Sequence, residues 1–344
     1  MKKLTIITCI FCALFSLQNL KAQSVAALHQ SGQTTYFTGL EAFREAYAAA
    51  ANGATIYLSG GGFLIPDTIA KSITIFGVGH NPNYSAATGQ TLLSGNIMIA
   101  EGANDLYLEG LHITGRLYVA RNHRVDDIVI RRCRIDGEIQ FMITTGGTNY
   151  SHNTLFTECV FTYTVSHNFY NARNLTITNS ILLSLNLNGF YFGTIANCLL
   201  LNTGGYLLFT ADNSIVRNCV IAKSSGTMTV NTTNTSILNN VFFNAGSFPG
   251  TNNIVTNNYI DISRENFFVD QEGNIFNYAH DYNLQSPGQY IGTDGTQVGI
   301  YGGMHPFKEG SVPMIPHVVS KSISHSIDAE GKLQVEIEVS AQDH

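Results

Sequence analysis

With 344 residues, 44% hydrophobic and only 12% charged side chains, the chain is too apolar for intrinsic disorder and long enough for one long domain or two ordinary ones. Setting aside Lys2, Lys3 and Lys21 in the leader, the 18 basic side chains fall to 15 against 24 acidic ones; that formal charge near −9 repels a phosphate backbone and excludes nucleic-acid binding. No Trp, 32 Gly and abundant Asn and Thr point to β-structure with many tight turns.

Lys2 and Lys3 lead an apolar run from Leu4 to Leu17, and Lys21-Ala22 ends in a small residue before Gln23. This is the order of a secretory signal peptide over residues 1–22. The run is short for a membrane span and no other apolar stretch approaches about 18 residues, so an exported chain without a span is expected, bound for the periplasm, cell surface or medium. Cys9 and Cys12 lie inside the run, away from where a lipidated cysteine would follow cleavage. In residues 23–53, Thr38 or Gly39 can cap a helix whose Phe43, Ala46, Tyr47 and Ala50 share one face and which Asn52-Gly53 ends. That helix reads as a plug for the end of the next segment.

From residue 106 to 260 the chain repeats. Short β-type runs recur, each with a polar residue and then another apolar pair: 106–115, 128–137, 155–161, 176–183, 194–201, 215–221, 237–243 and 254–260. Aligned, they put Leu111, Cys133, Cys159, Ser180, Cys198, Cys219, Asn240 and Asn258 in one column, at spacings of 22, 26, 21, 18, 21, 21 and 18. The preceding column holds Gly110, Arg132, Glu158, Asn179, Asn197, Asn218, Asn239 and Asn257. A coil of this length cannot bury its apolar face alone, whereas stacked coils bury a continuous core. Asn tolerates a left-handed turn, and amides stacked about 4.8 Å apart can bond to one another along the axis. No Pro stands between Pro82 and Pro249, as parallel ladders require. Between Asn174 and Ile260 only Asp212, Arg217 and Lys223 are charged, and the many Thr and Asn suggest a solvated neutral wall.

This pattern resembles the right-handed parallel β-helix proteins of the pectin-lyase-like superfamily, whose sharp turn carries an asparagine ladder. The leucine-rich frame LxxLxLxxN does not recur. The fold expected is all-β: a right-handed parallel β-helix over residues 54–303, of about 9–10 coils, capped by the N-terminal helix. Residues 298–316, rich in Gly and Pro, are similar to the closing segment of secreted bacterial β-helix proteins. Beyond them, in the C-terminal segment 304–344, Leu333, Val335, Ile337 and Val339 alternate with polar residues, giving a β-hairpin with the run around 318–327. A lone hairpin is unstable in water, so it is expected to pack on the last coil or on a neighbouring chain, or to be the remnant of an immunoglobulin-like module.

The four cysteines after the leader share the column beside the Asn ladder. Stacked side chains hold their Cβ atoms about 4.8 Å apart, beyond the usual disulfide reach, so reduced packing thiols are expected. The histidines show no HExxH or paired zinc spacing, and no GxSxG elbow or Walker loop is present. Gly60-Gly61-Gly62 and Gly77-x-Gly79 read as tight turns. No metal site or cofactor motif emerges, although a calcium site of carbonyls and a few acids would leave no mark in a sequence.

One stretch is chemically unusual: residues 116–138 hold six Arg and four acids. Counting from the ladder column makes Arg116 and Glu138 vertical neighbours on an outer strand face, with Tyr118 and Gln140 beside them and Leu117 and Ile139 inward. The next turn carries Arg121, His123, Arg124, Asp126 and Asp127. These nine are the candidate glycan contacts, since Arg can hold a carboxylate or sulfate and Tyr can stack on a sugar ring. A solvated wall of alternating charge is the plainer reading of the same residues. Arg132 and Glu158 are expected to pair with each other.

The resemblance implies that a polysaccharide groove would follow this strand face. Its catalytic signatures do not carry over: of the polygalacturonase set only Asp126-Asp127 matches, Asp136 falls in a turn, and Arg131-Arg132-Cys133-Arg134 does not fit the lyase frame RxPxxR. Three readings stand. The first is a non-catalytic glycan-binding or surface structural protein. The second is a lyase or hydrolase of an acidic polysaccharide, with Arg116 or Arg124 at the carboxylate and His123 or Tyr118 as base. The third is an assembly module that self-associates through the C-terminal hairpin.

Overall fold

The structure, a computed structural model, describes residues 24–142, 147–184, 186–201, 204–223, 226–244 and 246–341. The expected signal peptide lies outside them. The described chain is a parallel β-solenoid of about nine turns. Most turns contribute strands to three walls, here called A, B and C. Wall A is a twelve-stranded sheet whose parallel part runs from Thr55–Leu58 to Ile254–Thr256. Wall B stacks nine short strands from Gly61–Leu64 to Val241–Phe242, and wall C is also nine-stranded, opening at Ile97–Ile99.

Alternation along the strands builds the core. In one turn Ile130 of wall A, Ile135 of wall B, and Ile139 and Phe141 of wall C all point inward and are fully buried. Each such side chain stabilises the fold by about 1.5–3 kcal/mol. Strands of walls A and B meet at a sharp corner two residues long. Its first residue is left-handed in every repeat, with φ of 49° at Arg132, 55° at Glu158 and 46–56° at Asn179, Asn197, Asn218, Asn239 and Asn257; Gly110 stands at 72°. Its second residue points inward. Cys133, Cys159, Cys198 and Cys219 are free and buried there, and their Sγ atoms donate to carbonyls two residues back, at 3.1–3.3 Å. Ser180 makes the same bond with its hydroxyl at 2.7 Å, so Ser and Cys are interchangeable by shape in this column.

Two caps differ from expectation. The helix spans Ala42–Ala49 with Glu41 at its N-cap; Thr38 instead ends a strand, and Gly39 enters only through its carbonyl, which accepts from the Ala42 N–H. Phe43, Ala46 and Ala50 are buried as the periodicity required. A hairpin of Val25–Gln30 and Gln33–Thr38, not foreseen, extends wall A antiparallel to Thr55–Leu58. At the other end, the chain after Tyr259 turns back along the corner column toward the N-terminal coils.

This return segment overturns the expected solvated wall. On wall B the outward column reads His112, Arg134, Val160, Ile181, Leu199, Val220 and Val241. Its apolar members are buried under Phe267, Phe268, Leu284, Val298 and Ile300 of the return segment. On wall A the expectation fits, since Thr176, Thr178 and Thr194 are partly exposed. The glycines were also only partly turns. Gly61 and Gly62 lie in the first strand of wall B, and a Cβ on Gly60 would stand 1.9 Å from the Thr88 carbonyl oxygen. Finally, His317–Ile327 and Leu333–Ser340 pair as the expected hairpin, with Leu333, Val335, Ile337 and Val339 half exposed to solvent.

Candidate functional site

Wall C holds four of the nine candidate residues together. Strand Leu117–Val119 pairs with Ile139–Phe141 so that Tyr118 lies beside Gln140, and Gln140 lies beside Asn168 on Ser166–Asn168. Asn168 in turn adjoins Asn188. The outer row is therefore Tyr118, Gln140, Asn168 and Asn188, all half-exposed. Arg116 and Glu138 flank the row at its edge, as the register implies, but they differ in state. Glu138 is buried and accepts hydrogen bonds from the amides of Gln140 and Asn168, and Asn188 Nδ2 continues the string to Asn168 Oδ1 at 3.2 Å. Arg116 is exposed, and among the described residues its guanidinium has no carboxylate partner.

The other five candidates belong to a second corner, between walls C and A. Arg124 Nε donates to Asp126 Oδ2 at 2.7 Å, and Asp126 Oδ1 accepts the His152 backbone N–H at 2.8 Å. Burial would raise the Asp126 carboxyl, but Arg124 and His152 hold it below the usual carboxylate range. His123 Nδ1 accepts the Glu101 N–H at 3.0 Å. Asp127 is left-handed, with φ 61°, and its carboxylate accepts the Asn153 amide at 2.9 Å. Arg121 is exposed and, like Arg116, lacks a carboxylate partner among the described residues.

Asp127 thereby starts a ladder that sequence reasoning missed. Asp105, Asp127, Asn153, Asn174, Asn213, Asn234 and Asn252 share positive φ, and amide bonds run from Asn153 to Asp127, Asn174 to Asn153 and Asn252 to Asn234. The column foreseen as an amide ladder works differently. Asn179 donates to the carbonyls of Ile300 and Gly302, at 3.0 and 2.7 Å, and Asn239 to that of Ile291. Asn218 accepts the Thr293 N–H at 2.8 Å. Asn197 packs beside Gly302 and Gly303, and Asn257 is exposed. Asn179, Asn218 and Asn239 thus hold the return segment down rather than one another.

Arg132 and Glu158 do pair, at 2.8 Å, within a larger buried group. Arg131 also reaches Glu158, at 2.7 Å, and Arg132 Nη1 donates to the Val312 carbonyl at 3.0 Å. Burial pushes the Glu109 carboxyl up, opposed by the Tyr107 hydroxyl and Arg132. This network clamps residues 312–314, and its cations are matched by Glu109 and Glu158.

Wall C also carries an aromatic stack that the sequence did not reveal. The Arg173 guanidinium lies 3.7 Å from the Tyr150 ring centroid and 4.3 Å from that of Tyr191. The repeat could have found it only with wall C aligned on itself, because the distance from the corner column varies with coil length. Among the described residues no group of three or more His, Cys, Asp or Glu gathers as a metal site, and no helix is long and apolar enough to cross a membrane. Comparison with protein-family models, curated proteins and solved structures gives no match.

Proposed function

We propose that this is an exported β-helix protein, related in kind to the pectin-lyase-like proteins, that binds an acidic glycan along wall C without turning it over. One observation carries the reading. The exposed cations, Arg116 at the edge of the outer row and Arg121 at the corner with wall A, lack carboxylate partners among the described residues, whereas the acids Glu138, at that edge, and Asp126, at that corner, are engaged by amides, Arg124 and His152. A sugar carboxylate would find free donors there, amides for its hydroxyls and the Tyr118 ring for its face. Hydrolysis by paired carboxylates would instead need two acids free to exchange protons and water. The test is binding of the purified chain to immobilised polygalacturonate and alginate, beside a neutral glucan. The acidic polymers should retain the chain, and the Arg116→Ala/Tyr118→Ala double variant should bind at least about tenfold more weakly. Retention unchanged in that variant, or release of products absorbing in the ultraviolet, would overturn it.

A second reading, self-association through the C-terminal hairpin, is favoured by the exposure of Ile323, Ile327, Leu333, Val335, Ile337 and Val339 on one hairpin. Sedimentation of the chain with and without residues 317–344 decides it. A dimer lost on deletion supports assembly, and a monomer in both cases removes it.

A further inference from the structure

Wall B carries one long insertion at its corner with wall A. Where later coils pass from wall A to wall B in two residues, residues 77–90 intervene between Thr74–Phe76 and Thr91–Ser94. The return segment meets this insertion: Asn81 Nδ2 donates to the Glu309 carbonyl at 2.8 Å, and Tyr278 Oη donates to the His80 carbonyl at 2.9 Å. Between them opens a cleft of about 390 Å³, within the range of small-molecule sites.

Its lining is mainly aromatic, with Glu309 its one carboxylate and His280 its one imidazole. Tyr84, Phe276, Tyr278, Tyr282 and Phe307 contribute rings, with Asn83 and Glu309 at the polar side. The rings are fixed before any ligand arrives. Phe276 lies parallel to Tyr282, at an interplanar angle of 3°, and edge-on to Tyr278. The Tyr282 hydroxyl is held by both backbone groups of Asn277, at 3.0 and 3.1 Å. Tyr84 is 54% exposed and rests on Gly310, where a Cβ would approach the ring to 3.0 Å. Glu309 Oε1 accepts the Tyr301 hydroxyl at 2.5 Å, leaving Oε2 as an acceptor, and among the described residues the Asn83 amide makes no side-chain bond. Arg134, behind Tyr278, sits against that ring at 5.7 Å and donates to Asp136 at 2.8 Å, so its charge is already matched.

Flat aromatic faces with a few amide groups suit the C–H face and hydroxyls of a sugar, and the Glu309 carboxylate, the one acid of the lining, disfavours an anionic one. We propose that this cleft binds a single non-anionic sugar residue, at a site separate from wall C and of opposite charge preference. The inference stands apart from the wall C reading, and neither depends on the other.

The experiment is calorimetric titration of the full chain with a panel of hexoses, hexosamines, N-acetylhexosamines and hexuronates, repeated for Tyr84→Ala, Glu309→Gln and Arg116→Ala. At least one neutral or amine-bearing sugar should bind, at least about tenfold more tightly than the hexuronates. Tyr84→Ala should weaken it by a similar factor, Glu309→Gln should weaken it too, and Arg116→Ala should leave it unchanged. Should Tyr84→Ala fail to fold, Glu309→Gln alone serves as the cleft variant. No binding by any non-anionic sugar, binding indifferent to both cleft variants, or equal binding of hexuronates would each overturn the proposal. Binding lost only in Arg116→Ala would place the sugar on wall C and overturn it as well.

Discussion

Arg132 and Glu158 occupy a left-handed corner that Gly or Asn fills in the other repeats, a conformation costing a non-Gly residue about 1–2 kcal/mol. Their ion pair offsets that cost while tying down the return segment. Arg132 is fully buried, so Glu158→Ala would leave its charge without its closest partner. The expected loss is about 3 kcal/mol or more in urea unfolding. A loss below about 1 kcal/mol would mean that Glu109, 3.4 Å from Arg132, suffices alone.

Two histidines make the fold acid-labile. Burial lowers His80 and His167 from 6.5 to about 3, so both are neutral in the native state. Below pH 6.5 the unfolded chain takes up protons that the native chain refuses, so stability falls as pH falls through that window. The slope is about 1.4 kcal/mol per pH unit for each His once below its unfolded value. Asp136 acts in the same direction. Burial would raise its carboxyl, but His112, Thr162 and Arg134 hold it well below the usual range, so its contribution is present near neutrality and lost in acid. Urea midpoints measured from pH 7 to 4 should fall steadily, and His167→Gln, if folded, should reduce the slope by one histidine's share. A flat profile would contradict the buried neutral state.

At the scale of elements, the legible part of the fold came from periodicity. The corner column showed the coils because its left-handed residue recurs, and it showed the buried thiols because their neighbours are inward by register. Asp126-Asp127 matched one element of a catalytic signature for a related reason: a second corner also prefers Asn and Asp. The cover of wall B was illegible because the return segment has no period, and the cleft joins Asn81 to Glu309, far apart in sequence. Two substitutions separate cover from ornament. Phe268→Ala, in the return segment beside Phe243 and Phe267, should cost about 3 kcal/mol. Ile337→Ser on the exposed hairpin should change stability by no more than about 0.5 kcal/mol. Equal effects would mean that the hairpin is buried in solution.

For the whole molecule, the solenoid sorts its three walls by use. Wall A is the Thr-rich solvated face, wall B is covered or opens into the cleft, and wall C presents polar and aromatic side chains in strand register. Side-chain footprinting by hydroxyl radicals, with and without a galacturonate oligosaccharide, tests the assignment of the acidic glycan to wall C most directly. Tyr118 should become protected while Tyr84, in the cleft, stays as reactive as before. Protection of Tyr84 with Tyr118 unchanged would contradict the assignment.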